Sequence, residues 1–230
     1  MSTPKPRTDP DAPGASALRE YNRRRSNREA TARARLGGLG VLLARATGDP
    51  QTTSAWKQGA QAEIQTGAQL QKQLRRSGVV LLHDRRIPGR GRANIDHLAI
   101  GPGGVTVIDT KAARGRIQLT KVGGLLSPRR ELLLVNGRDR THQLDALERQ
   151  IQAVERALAN EGLSDVDVRG ALCYPNIEGL PVLRQLRARN GTLIIDDPRG
   201  VAKLVRRAGA LSQTDVQRVA ERLALRLTQA

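Results

Sequence analysis

The chain has no phenylalanine, one tryptophan and two tyrosines. So few rings leave few platforms for stacked bases, which argues against an aromatic single-strand binder. It has one cysteine, Cys173, so no intramolecular disulfide and no cysteine-based zinc cluster can form. That usage suits a reducing compartment, and the expected location is the cytoplasm. Three scattered histidines, His83, His97 and His142, do not make a zinc-binding motif. The N-terminus is polar and proline-rich and carries no visible secretory signal. The longest apolar run near it, Val41 to Ala46, is too short to span a bilayer.

Positive charge is abundant. There are 39 Lys and Arg against 22 Asp and Glu, giving a formal charge of +17. This excess implies a polyanionic partner, with nucleic acid first and an anionic membrane surface second. Charge alone provides salt-sensitive, non-specific affinity and no chemistry.

A length of 230 residues suits one domain plus an appendage. Residues 1–50 form the appendage, a basic N-terminal extension. Met1 to Ala15, rich in Pro, Asp and Ser, reads as disordered. Ala17 to Arg35 carries Arg23, Arg24, Arg25, Arg28, Arg33 and Arg35. It reads either as a basic helix formed against an anion or as a solvated charge run, and composition favours the latter. A weaker alternative makes residues 17–46 an anchor on anionic membranes. Leu36 to Thr47 is an apolar patch suited to docking on the core, and residues 48–53 read as a linker.

Residues 51–230 carry the periodicities of a folded domain. Trp56, Gly59, Glu63, Gly67, Leu70 and Leu74 make one stripe of a helix over Ser54 to Arg76. A strand is expected over Gly78 to Asp84, then a basic loop from Arg85 to Arg92. Further strands are expected at Asn94–Ile100, Gly104–Lys111, from Gly115, and at Glu131–Val135 before the turn Asn136-Gly137. Leu144, Leu147, Ile151, Val154 and Leu158 define an amphipathic helix over Thr141 to Asn160. Strands follow at Val166–Tyr174 and Thr192–Ile195. Asp197 with Pro198, and then Ser212, open two last helices. This order predicts an α/β fold, a mixed central sheet flanked by helices.

The segment Asn94 to Lys111 holds the chemistry. Two apolar runs flank the turn Gly101 to Gly104. Alternation puts Val105, Val107, Asp109 and Lys111 on one face. If the turn makes a hairpin, Asp96 approaches Asp109 and Lys111. Two carboxylates and a lysine at a sheet end are what metal-assisted phosphodiester hydrolysis requires. Acids at strand ends are also common and usually solvated. Glu63 interrupts its apolar stripe: it either reaches water at the edge or points into the same acidic cluster, and spacing does not decide between them. Alternation turns His97 away from Asp96, so it reads as structural.

Several ordered motifs resemble the nuclease-related domain (NERD) family, and its actinobacterial type in particular. They are Trp56-Lys57-Gln58-Gly59-Ala60-Gln61-Ala62-Glu63, His83-Asp84-Arg85-Arg86-Ile87-Pro88, Ala93-Asn94-Ile95-Asp96-His97 and Gly104 to Lys111. Val122 to Leu126, Gly137 to Thr141 and Arg169 to Cys173 add to them. The resemblance implies a restriction-endonuclease-like fold of the PD-(D/E)xK superfamily and a metal-dependent nuclease acting on nucleic acid, DNA before RNA. It makes Asp96 and Asp109 metal-binding acids, joined by Glu63 and the carbonyl of Thr110, with Lys111 as the catalytic lysine. Gln150 matches a glutamine that related nucleases often keep, although Gln143 and Gln152 lie nearby. The implied ion is Mg²⁺, with Mn²⁺ as a substitute. Arg85, Arg86, Arg90 and Arg92 are placed to hold phosphates. Homodimerisation, common among related nucleases, stays open. The chain departs from the family in having Ile95 before Asp96, Asp109 where glutamate is commoner, and Gln61-Ala62 where many relatives have glycine. The alternative is a non-catalytic nucleic-acid-binding module on the same fold.

Overall fold

The computed structural model describes residues 13–46, 51–89, 91, 93–124, 127–177, 185–188 and 190–230. Residues 1–12, most of the predicted disordered start, lie outside them, as do Arg90 and Arg92.

The main sheet has six strands in the order β1-β2-β3-β7-β9-β8. Strands β1 (Val80–Arg86), β2 (Asn94–Gly101) and β3 (Gly104–Thr110) form an antiparallel meander. Gly101 pairs with Gly104, so the expected hairpin turn is present. Gly104 has φ +100°, and an added Cβ would collide with the carbonyl of Asp167, so glycine is required there. β7 (Val168–Cys173) lies parallel to β3 and β9 (Leu193–Ile195) parallel to β7, while β8 (Gln185–Arg187) closes the edge antiparallel. Helix α3 (His142–Ala159) supplies the crossover that a parallel β3–β7 pair demands. A second sheet, β4 (Ile117–Gly124), β5 (Ser127–Val135) and β6 (Arg138–Asp139), is inserted before that helix.

Both faces of the meander are covered. Leu98, Ile100, Val105 and Val107 share one core with Leu147 and Val154 of α3, Val219 of α5 (Gln213–Arg226), and Leu133 of the second sheet. Ala99 and Ile108 face the other core with Leu70 and Leu74 of α2 (Gln51–Leu74) and Val201 of α4 (Pro198–Val205). Every residue of β3 is buried. Each fully buried Ile or Val contributes roughly 1.5–3 kcal/mol, so this strand is firmly held. The predicted caps are present: Asp197 accepts from the Arg199 N–H, and Ser212 forms a capping box with Asp215.

The first two helices run past the bounds expected for them. The arginine-rich stretch takes the helical one of its two readings: α1 (Ala15–Ala46) is one helix of 32 residues, its first residue buried. It continues through the predicted apolar patch, where Leu36 stands 62% exposed. α2 begins at Gln51, inside the predicted linker. Among the described residues no helix is long and apolar enough to cross a membrane.

Candidate functional site

The register of the meander assembles the site. His97 pairs with Ile108, so the next step sets Asp96 opposite Asp109. There the backbone ladder gives way to a side chain, and the Thr110 N–H donates to Asp96 Oδ2 at 2.7 Å. The Lys111 N–H donates to the Cys173 carbonyl at 2.8 Å, which fixes the chain just beyond the strand end. The Lys111 ammonium then reaches back to Asp109 Oδ2 at 2.7 Å. Asp109 is buried and Lys111 half-buried.

Glu63 arrives from α2 and is 5% exposed, so it does not reach water at the edge of its stripe. Burial pushes its carboxyl up to about 8, and Asp84 and Asp109 push the same way; the Gly14 N–H opposes them. Asp96 is also raised well above the usual carboxylate range, by burial, then Glu63 and Asp109, against Lys111 and the Thr110 N–H. Burial alone would lower Lys111, but Asp109, Asp96 and Glu63 outweigh it and hold the ammonium above its usual value. Three mutually repelling acids around one cation form a charge-starved centre, short of positive charge.

Asp96, Asp109 and the Thr110 carbonyl are oxygen donors, the type Mg²⁺ prefers, and that ion commonly takes one or two carboxylates and keeps its waters. Glu63 Oε1 is buried without a hydrogen-bond partner among the described residues. Among those residues no three His, Cys, Asp or Glu groups close around a metal unaided. The donor set fits a partly hydrated hard cation held by the aspartate pair, not an all-protein cage.

Above this floor opens a cleft of about 740 Å³. Glu63, Asp96, Thr110 and Lys111 line it from below, Arg86 lines it too, and α1 supplies Arg19, Glu20, Arg23 and Arg24. Glu20 accepts two bonds from Arg23 and one from Arg24 at 2.7–2.8 Å, and these two partners hold its carboxyl down to about 2. Arg24 lies over the Trp56 ring, 5.1 Å from its centroid.

Asp84 fastens α1 in place. It is fully buried, sits at φ +51°, and accepts from the Ser16 N–H at 2.6 Å. Asn94 donates to Asp84 Oδ1 at 2.8 Å and to Ser16 Oγ at 2.9 Å. Arg19 donates to the Ala230 carbonyl. Gly67 leaves room for Pro13 to press against α2, where any Cβ would collide with the proline ring.

Several predicted positions change. Arg85 and Arg86 belong to β1 and not to a loop, because they pair with Ile95 and Asn94. Arg85 is 7% exposed and presents little to a polyanion, whereas Arg86 is exposed and faces the cleft. Arg90 and Arg92 lie outside the described residues. Gln150 lies on α3 with its Oε1 buried and without a hydrogen-bond partner among the described residues. The glutamine tied to the site is Gln143, which accepts from the Tyr174 hydroxyl. That hydroxyl is raised by burial and then by nearby Asp109. His97 is fully buried and meets His83 at 2.9 Å between Nδ1 atoms, with His83 Nε2 against Gln71 at 3.1 Å. Burial and then His83 keep the His97 ring neutral, as a structural residue requires.

Arg19, Arg23, Arg24, Asp84, Asn94 and Tyr174 were not read as site residues from sequence. The Ser16–Asp84 bond spans 68 residues, and no local spacing announces it.

No curated protein and no solved structure matches the chain significantly. The family model for the nuclease-related domain matches residues 58–175, from α2 just before Glu63 to just past β7. That match covers just over half of the chain and contains Glu63, Asp96, Asp109 and Lys111, so the protein belongs to the nuclease-related domain (NERD) family.

Proposed function

We propose that the protein is a metal-dependent nuclease that hydrolyses phosphodiester bonds of nucleic acid, DNA in the first instance. The observation that carries this reading is the Lys111–Asp109 ion pair at 2.7 Å, set beside Asp96 on the floor of an arginine-lined cleft. In this reading Asp96, Asp109 and the Thr110 carbonyl hold Mg²⁺ or Mn²⁺, with Glu63 completing the acidic wall. A bound divalent ion would supply a more acidic water and offset charge on the scissile phosphate.

The remaining work falls to side chains of this chain. Lys111 is the fixed cation on the floor of the cleft. Its ammonium is held by Asp109, so it is already oriented before a phosphate arrives and needs little reorganisation as negative charge develops. Arg86 is exposed at the cleft wall and suits a flanking phosphate, which positions the strand without reading its sequence. Glu63, with its raised carboxyl, is suited to hold a proton near neutral pH while Asp109 stays paired with Lys111.

Cleavage of labelled linear, circular and single-stranded DNA, with Mg²⁺, Mn²⁺ or EDTA, tests the reading. Metal-dependent cutting that disappears in Lys111→Ala is the expected result. Salt-sensitive binding by both proteins without any cutting would replace it with a non-catalytic nucleic-acid-binding module.

A further inference from the structure

We infer that the strand entering this cleft is unpaired, that it passes beneath α1, and that Trp56 is the platform on which one of its bases stacks. This rests on the nucleic-acid reading above and narrows it to single-stranded segments such as frayed ends, flaps or gaps.

Size comes first. The cleft of about 740 Å³ is lined by the acidic cluster and by the first turns of α1. Sites of roughly 300–1,000 Å³ enclose a drug-sized molecule, the scale of one or two nucleotides. Stacking on a cleft-wall ring requires a base free of its partner, which a blunt duplex does not offer. α1 is also a fixed roof. Ser16, Asn94 and Asp84 pin its start, and Tyr21 is buried one turn later.

The lining chemistry matches a single strand. Trp56 is the only tryptophan in the chain and remains 41% exposed at the cleft wall. The exposed indole presents a flat apolar face, and every base offers another. Arg24, at 5.1 Å from the ring, adds a cation over the same platform. Arg23 and Arg24 share the one carboxylate of Glu20, so the roof keeps a surplus positive charge for phosphates. A composition poor in aromatics thus concentrates its one indole at the site.

Because Trp56 is the sole tryptophan, its fluorescence reports this cleft alone. The full chain is titrated in EDTA with an oligothymidylate of about eight nucleotides, within the roughly 4–16 that single-strand grooves occupy. A blunt hairpin duplex is the second ligand, and anisotropy of labelled DNA measures binding independently. Saturable quenching by the oligothymidylate, with the blunt duplex at least tenfold weaker, is expected. Trp56→Leu should weaken oligothymidylate binding about tenfold, while Trp56→Phe keeps most of it. Quenching by blunt duplex as strong as by the single strand would overturn the inference. So would oligothymidylate binding by anisotropy with unchanged Trp56 emission. Duplex cleavage under Mg²⁺ alongside either result would leave the nuclease reading standing, whereas binding of neither ligand would remove both.

Discussion

At the scale of single residues, Glu63 governs the balance of the site. Its carboxyl has an ordinary value of 4.5 and rises to about 8 in the folded chain. Between those values the folded protein keeps a proton that the unfolded chain has released. Stability linked to this proton is complete below 4.5 and is lost as pH climbs through about 8. Asp96, raised for the same reasons, acts in the same direction. Glu63→Gln keeps the shape and removes the charge. In EDTA its melting temperature should exceed that of the parent above about pH 8, and the gap should close below about pH 5. A gain of a few degrees is expected, since ~1 kcal/mol moves a domain of this size by about 2–4 °C. A difference independent of pH would show that Glu63 is not the strained acid of the cluster.

At the scale of elements, α1 depends on Asp84. Asp84→Ala removes the acceptor of the Ser16 N–H and of one Asn94 bond, both part-buried, at a cost of about 1 kcal/mol each. Asp84→Asn keeps an acceptor and tolerates φ +51°. Limited proteolysis should therefore cut within residues 15–46 fastest in Asp84→Ala, more slowly in Asp84→Asn and slowest in the parent. Equal rates in all three would mean that this carboxylate does not hold the helix. The elements legible in the sequence were those written in short spacings. The Gly101–Gly104 hairpin, the apolar stripe of α3 and the caps at Asp197 and Ser212 each declare themselves within a few residues. The hairpin also delivered Asp96, Asp109 and Lys111 together, because antiparallel register is local arithmetic. What stayed hidden is set by long-range pairing. β1 runs on through Arg85 and Arg86 because Ile95 and Asn94 pair with them, although Pro88 and Gly89 make that stretch read as loop. Spacing along α3 did not single out Gln143, whose partner Tyr174 lies just past β7 and far from it in sequence. Glu63 showed its oddity in the stripe, but its burial depends on the sheet end that α2 crosses.

At the scale of the whole molecule, a formal charge of +17 coexists with a site that is locally acidic. The two are reconciled by layering. Carboxylates lie buried at the end of the sheet, and arginines from α1 and β1 stand at the cleft above them. A polyanion is drawn in by the outer layer and meets the acids only once its backbone is held, a sequence in which the acidic floor contributes nothing to initial binding. Salt dependence separates the layers. Each phosphate contact contributes about 0.7 to the slope of log affinity against log salt for a single strand, and about 0.9 for duplex. Arg23→Ala, Arg24→Ala and Arg86→Ala should each flatten the slope by about that amount. Arg85→Ala, buried in β1, should lower the melting temperature and leave the slope unchanged. Asp109→Ala should leave the slope unchanged or slightly steeper, because the deeper layer then loses negative charge and frees Lys111 for a phosphate. If instead Arg85→Ala flattens the slope while Arg23→Ala and Arg24→Ala do not, the strand does not run beneath α1, and its path must follow the β1 edge.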